Sequence, residues 1–243
     1  MKIAGSTFNE LMERDEELCE ELRFHVFKGA LGEMVHHPLI IEIFYRPGKC
    51  ALINESFRQK QELAKSYLAQ KKWRSYIFLI ERPYRLDALL KCAELGLKGD
   101  AYWELVSSVW VDTENVHQHL GKWKRIWSIN PTMRESIMDA EERAALADLP
   151  NEITVWRGTK HQRGINGLSW TLEKDRAIWF AKRHVLKRHK PRLVEGFVHK
   201  KHVLAYFLGR GEKEIVSMNV SVQNVVPLIS ESVAVRREGN HNG

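Results

Sequence analysis

The alternation of apolar and polar positions changes character once along the chain. Before residue 150 its period is mostly helical. In ENVHQHLGKWKRIW, residues 114–127, Val116, Leu120, Trp123 and Trp127 recur at three- and four-residue steps, the stripe of an amphipathic helix. The same reading expects helices over 7–27, 55–71, 84–95, 100–111 and 136–148. Two segments leave the choice open. PLIIEIFYRPGKCALI, residues 38–53, reads as a strand pair around Pro47-Gly48 or as a helix end and a turn. SYIFLIERPY, residues 75–84, is a short apolar run that suits a strand or a buried helix equally.

After Leu149-Pro150-Asn151 the period shortens. ITVW (153–156), GLSWT (167–171), RLVEGFV (192–198), LAYFL (204–208) and EIVSMNV (214–220) are rich in β-branched and aromatic residues and read as strands. One helix interrupts them, over 173–188, with Ala177, Ile178, Ala181 and Val185 as its apolar stripe. The tail from Ser232 is polar and Gly/Asn-rich and reads as frayed. The expected fold class is therefore α+β. A helical half, residues 1–150, is expected to pack on a β-rich module, residues 151–243, and to help form its site.

Composition narrows the class. The chain has 243 residues, 44% hydrophobic and 28% charged, the balance of a soluble globular protein. That excludes wholesale disorder, a collagen-like chain and a multi-span membrane protein. No stretch approaches 18 consecutive apolar residues, and the N-terminus turns acidic without an apolar signal core, so a cytoplasmic location is expected. Cys19, Cys50 and Cys92 are few and widely spaced, which suits free thiols in a reducing compartment.

Charge is unevenly distributed. The net charge of +7 divides into −2 over residues 1–150 and +9 over residues 151–243. The basic excess concentrates in EKDRAIWFAKRHVLKRHKPR, residues 173–192, and an acidic run, ERDEELCEEL, occupies 13–22. The acidic run reads as the solvated face of the first helix. The basic run reads as a solvated face, or as an attractor of phosphate-bearing ligands, nucleic acid or acidic protein.

Common catalytic motifs do not appear. His36-His37 and His117-x-His119 lack the spacing of a zinc helix and no further ligands complete a set, so no metal is expected. Gly209-Arg210-Gly211 is a lone GxG that opens no helix, and neither a phosphate-binding GxxxxGK[ST] nor a GxSxG is present.

Three short pieces of the β-rich half do combine. VWRG (155–158) ends a strand in Arg157-Gly158. GLSWT (167–171) sets Ser169 and Thr171 on one face and Leu168 and Trp170 on the other. RGEKEIV (210–216) carries Glu212 and Glu214, which share a face in an extended chain. In order and spacing these pieces resemble the R-S-E class of the ADP-ribosyltransferase superfamily, and phage and prophage proteins with a YRG…GLSWT…A-x-WFA…RGE-x-E pattern. The resemblance covers residues 153–218. Trp156 stands where Tyr is usual, Trp170 where the toxins tend to have Thr, and the helix DRAIWFAKR follows the Ser strand directly.

The resemblance implies an ADP-ribosyltransferase-like split β-sheet and a reaction on NAD as substrate, without metal. Glu214 is then the carboxylate that stabilises an oxocarbenium-like transition state. Glu212 positions or activates the acceptor, and Ser169 orients Glu214 or the nicotinamide ribose. Arg157 pairs with the phosphates or adenine-side ribose, Gly158 grips the nicotinamide amide through its backbone, and Trp170 and Thr171 line the cofactor-binding face. Trp179, Phe180 and Tyr206 join Trp170 as aromatic residues that either stack on nicotinamide or fill the core. The expected partners are NAD and a macromolecular acceptor, a host protein or a nucleic acid, in a bacterial host's cytoplasm, with no membrane. An NAD glycohydrolase on the same site and a non-enzymatic module binding nucleic acid or protein through the basic 173–192 face stay open beside it.

Overall fold

A computed structural model describes residues 2–3, 6–30, 32–43, 45–113, 116–129, 132–186 and 189–228. The chain forms two compact units, Met1–Glu114 and Asn115–Gly243. Helices and antiparallel sheets occur in both, an α+β composition. No helix among the described residues is long and apolar enough to cross a membrane. The tail read as frayed lies outside the described residues.

The first unit opens with a two-residue strand pair, β1 (Lys2–Ile3) and β2 (Ser6–Thr7), and a short helix α1 (Phe8–Glu13). The expected helix over 7–27 breaks there, and helix resumes only as α2 (Glu20–Arg23). The reason is the buried side chain of Asn54. Its Oδ1 accepts from the Cys19 N–H (2.9 Å), while its Nδ2 donates to the Glu16 carboxylate (2.7 Å) and the Glu17 carbonyl (2.8 Å). Glu16 also pairs through its backbone with Gly48 and Cys50. The acidic run is thus pinned against residues 46–50, with Leu18 and Leu22 buried, rather than forming one solvated helical face.

Three strands follow, β3 (Val26–Gly29), β4 (Gly32–His37) and β5 (Ile40–Glu42), in an antiparallel meander. Among the described residues no strand pair forms around Pro47-Gly48, which instead turns the chain into helix α3 (Ala51–Ala69). The ambiguous run at 75–84 is mostly helix, α4 (Trp73–Leu79). Helices α5 (Arg85–Glu94) and α6 (Gly99–Asp112) complete the unit. Phe57, Ile77, Leu89, Tyr102, Trp103 and Val106 form its buried centre.

Early in the second unit lies α7 (Leu120–Ile129); Trp123 and Trp127 of its expected stripe are fully buried, Val116 and Leu120 only half so, and Ile126 joins the buried face. Helix α8 (Ala140–Asp148) starts on a capping box between Asp139 and Glu142. Strands β6 (Glu152–Thr159) and β7 (Ser169–Thr171), helix α9 (Lys174–Lys182), and strands β8 (Arg192–His199), β9 (Val203–Phe207), β10 (Glu214–Ser217) and β11 (Ser221–Pro227) follow. Strand β11 is an addition to the sequence reading, and α9 ends at 182 rather than at the expected 188, which leaves Val185 beyond it. His184, in a left-handed turn (φ 51°), redirects the chain after the helix.

The sequence boundary at 150 and the structural one at 114/115 differ because α8 is tied to the sheet. The Glu142 carboxylate accepts from the Leu208 N–H (3.0 Å), the Met138 sulfur accepts from the Tyr206 N–H (3.2 Å), and Lys200 donates to the Ala147 carbonyl (2.8 Å). The texture change at Pro150 marks the passage from helix to sheet inside this unit.

The sheet is antiparallel throughout, in the order β11-β8-β6-β7-β10-β9. Its two halves are unequally joined. β6 and β8 pair over eight residues, whereas β6 and β7 meet only at Trp156 and Thr171. The sheet is therefore split between its two central strands, and the split is where the candidate site lies.

Candidate functional site

Beyond the Trp156–Thr171 pair the backbones of β6 and β7 separate, and Arg157 spans the opening. Its Nε donates to the Gly164 carbonyl (2.7 Å) and its Nη1 to the Ser169 carbonyl (2.5 Å). The guanidinium lies over Gly167, where a Cβ would collide with Arg157 Cζ. Two forked donors thus replace the ladder bonds that the diverging strands cannot make. Burial pushes the Arg157 pKa down to about 10, and the neighbouring Glu214 carboxylate opposes the shift, so the group is charged at neutral pH.

Glu214 opens β10 directly opposite Thr171, and Val216 lies opposite Ser169. Residues opposed in an antiparallel ladder share a face, so Glu214, Thr171 and Ser169 stand together on one side of the sheet. The expected shared face of Ser169 and Thr171 is therefore present, and the structure adds Glu214 to it.

Glu212 does not join them as an extended pair. It follows a tight turn at Gly209–Gly211, and Lys213 between the two carboxylates is left-handed (φ 41°), which breaks the two-residue alternation. The Glu212 carboxylate reaches the Arg176 Nη2 instead (3.4 Å). Its backbone carbonyl accepts from the Thr171 hydroxyl (2.6 Å), which in turn accepts from the Glu173 N–H (3.0 Å). Thr171 is buried and committed to holding the Glu212 turn beside the start of α9, rather than lining a ligand face.

Two further expectations change. Trp170 is buried, on the opposite face from Ser169 and Thr171, and its indole N–H donates to the Gly167 carbonyl (2.9 Å). It is core, not a ligand platform. Gly158 has a packing role that the sequence reading lacked. A Cβ there would run into the Ala177 carbonyl oxygen and the Ala181 nitrogen, so glycine lets α9 lie against β6. Tyr206 is likewise buried, whereas Trp179 is 47% exposed.

Basic groups that sequence reasoning missed gather near Arg157. Burial and the Arg157, His161 and Lys160 charges hold His117 below its ordinary pKa. Burial and Arg183 lower that of Lys160. The His117 and His161 rings stand 6.4 Å apart, and His161 meets His189 edge-on at 4.7 Å. No local signal links residue 117 to residue 157; only the fold brings them together. His117, held below its ordinary range, is neutral at neutral pH, so the positive charge here is that of Arg157 and Lys160, which favours an anion near them. Among the described residues no group of three or more His, Cys, Asp or Glu is arranged to hold a metal ion.

Comparison of the chain with protein-family models, with curated proteins and with solved structures finds no match.

Proposed function

We propose that the second unit is an ADP-ribosyltransferase that cleaves NAD at the split of the sheet and transfers ADP-ribose to a macromolecular acceptor. The observation that carries this reading is the convergence of Arg157, Ser169 and Glu214 from three consecutive strands of the sheet order. Their type and chain order are those of the R-S-E class, and the single-pair junction between β6 and β7 suits the split sheet that class implies.

The residue chemistry fits the reaction. Rupture of the bond between ribose C1′ and the nicotinamide nitrogen sends the electron pair out with neutral nicotinamide and leaves positive charge on the ribosyl carbon. A carboxylate on the sheet face, Glu214, stabilises that charge as it develops. The charges of Arg157 and Lys160 attract the diphosphate, with the neutral His117 imidazole beside them as a hydrogen-bonding group. Glu212, at the edge of the same strand, takes the proton released when the acceptor nucleophile attacks C1′.

The test is nicotinamide release from NAD by the purified protein, alone and with cell lysate. Release that rises with lysate is expected. A folded protein that releases none in either arm overturns the proposal. Glu212→Ala separates transfer from hydrolysis. It should lose label transfer from NAD to lysate far more than nicotinamide release; equal loss of both would argue against an acceptor role for Glu212, and a plain glycohydrolase would transfer no label and tolerate the loss of Glu212.

A further inference from the structure

The solvent face of α9 holds one exposed aromatic side chain among cations. Trp179 is 47% exposed, and the guanidinium carbons of Arg176 and Arg183 stand 4.9 and 5.1 Å from its ring centroid. Arg176 also lies over Phe180 (5.4 Å), whose ring meets Trp179 edge-on at 5.0 Å. Two cation–π contacts thus hold the indole on the surface rather than letting it fold into the core. Lys174 and Lys182 on the helix and Arg183 and His184 just after it are exposed, against one exposed acid on the helix, Asp175, one turn before Trp179. Lys160, half-buried, lies within reach of the Arg183 charge; burial, then that charge, lowers its pKa. Lys187 and Arg188, in the same basic run, lie outside the described residues.

This surface is continuous with the candidate site. Arg176, which stacks on Trp179, is the ion-pair partner of Glu212 (3.4 Å), the residue proposed to serve the acceptor. From these contacts we infer that the α9 face docks the acceptor and that the acceptor is single-stranded nucleic acid. The role of Glu212 in this inference rests on the transferase reading above.

Three features select that partner. Two guanidinium groups at an exposed indole, with further cations along the same helix, match a polymer in which flat bases alternate with phosphates. Stacking on Trp179 requires an unpaired base, which a duplex does not present. A protein interface of ordinary size has an apolar centre, and the exposed face of α9 offers one indole among charges. A base stacked on the indole displaces the exposed Arg183 guanidinium from the ring toward the adjoining phosphate, and the neighbouring nucleotide then reaches Glu212.

The test is fluorescence anisotropy of the full chain with labelled oligo(dT) and oligo(U) of about 12 nucleotides, within the span one such groove covers. It is run over a salt series without NAD. Single-strand binding is expected. Trp179→Ala should weaken it about tenfold, the loss of one stacked base, and Trp179→Phe should retain most of it. Arg183→Ala should lower the slope of log affinity against log salt by about one. Thermal melts check that each variant is folded. The DNA and RNA arms identify which strand is the acceptor, and in the presence of NAD the label should pass to that oligonucleotide.

Equal binding by Trp179→Ala and wild type would overturn the inference. So would a duplex bound as tightly as the single strand, or a polyglutamate peptide bound in preference to either. Because binding is read without NAD, its absence counts against the docking surface even if the protein releases nicotinamide. Trp179-dependent binding by a protein that releases none upholds the surface and overturns the transferase reading.

Discussion

Arg157 donates across the opening between β6 and β7 to the carbonyl of Ser169, at 2.5 Å. One residue of the candidate triad thereby supports the backbone of another. The same guanidinium holds the Gly164 carbonyl and faces the charge of Glu214. The opening in the sheet is therefore kept open by a side chain rather than closed by a ladder.

Lysine cannot serve there, because one ammonium cannot reproduce the planar fork that meets two carbonyls. Arg157→Lys should lose about 2 kcal/mol or more of unfolding free energy, the cost of leaving a buried acceptor unsatisfied. It should also weaken NAD binding. Urea denaturation and calorimetry with NAD check the two effects. Unchanged affinity would remove Arg157 from the ligand site, and unchanged stability would remove it from the scaffold.

Gly158→Ala tests how closely α9 sits on β6. The added methyl meets helix backbone, which cannot swing aside as a flexible side chain does. The expected loss is about 1–3 kcal/mol, as for other overpacked interiors. A thermal or urea transition matching that of the wild type would mean that the helix backs away freely.

Glu214→Gln retains the size of the side chain and removes its charge. Nicotinamide release should fall about a hundredfold or more, because charge stabilisation is lost in the transition state alone. NAD affinity should change far less. Near-normal turnover would sink the assignment of Glu214.

In the first unit, pH acts through His37. Its Nδ1 accepts from the Leu39 N–H (3.0 Å), and its ring packs edge-on against His25 (4.5 Å) and Phe57 (4.8 Å). Burial, then the charge of His25, pushes its pKa down to about 4, partly opposed by Glu21. The unfolded chain, with an ordinary histidine near 6.5, binds the proton more readily in this window. Stability should therefore fall as pH drops from about 6.5 toward 4. Urea transitions between pH 7 and 5 should show this slope in the wild type and a shallower one in His37→Leu. Parallel slopes would exclude His37 as the source.

The local pattern of the chain was enough to locate most of the second unit. Alternating β-branched and aromatic residues marked five of its six strands, and the small residues Ala177 and Ala181 marked the buried face of α9. The face shared by Ser169 and Thr171 follows from strand geometry alone. Such features are local, because a side chain's direction within one element depends on the period of that element.

What required the tertiary structure is long-range. Asn54 breaks the expected first helix from more than 30 residues away by offering its backbone better partners than a helix would. The left-handed Lys213 parts Glu212 from Glu214, and Thr171 and Trp170 turn from ligand candidates into a turn support and a core residue. Strand order, the split between β6 and β7, and the approach of His117 and Glu214 to Arg157 depend on which distant segments pair. A residue's own neighbours in sequence carry no record of those pairings, because the free energy that selects them comes from burial and hydrogen bonding summed over the whole unit.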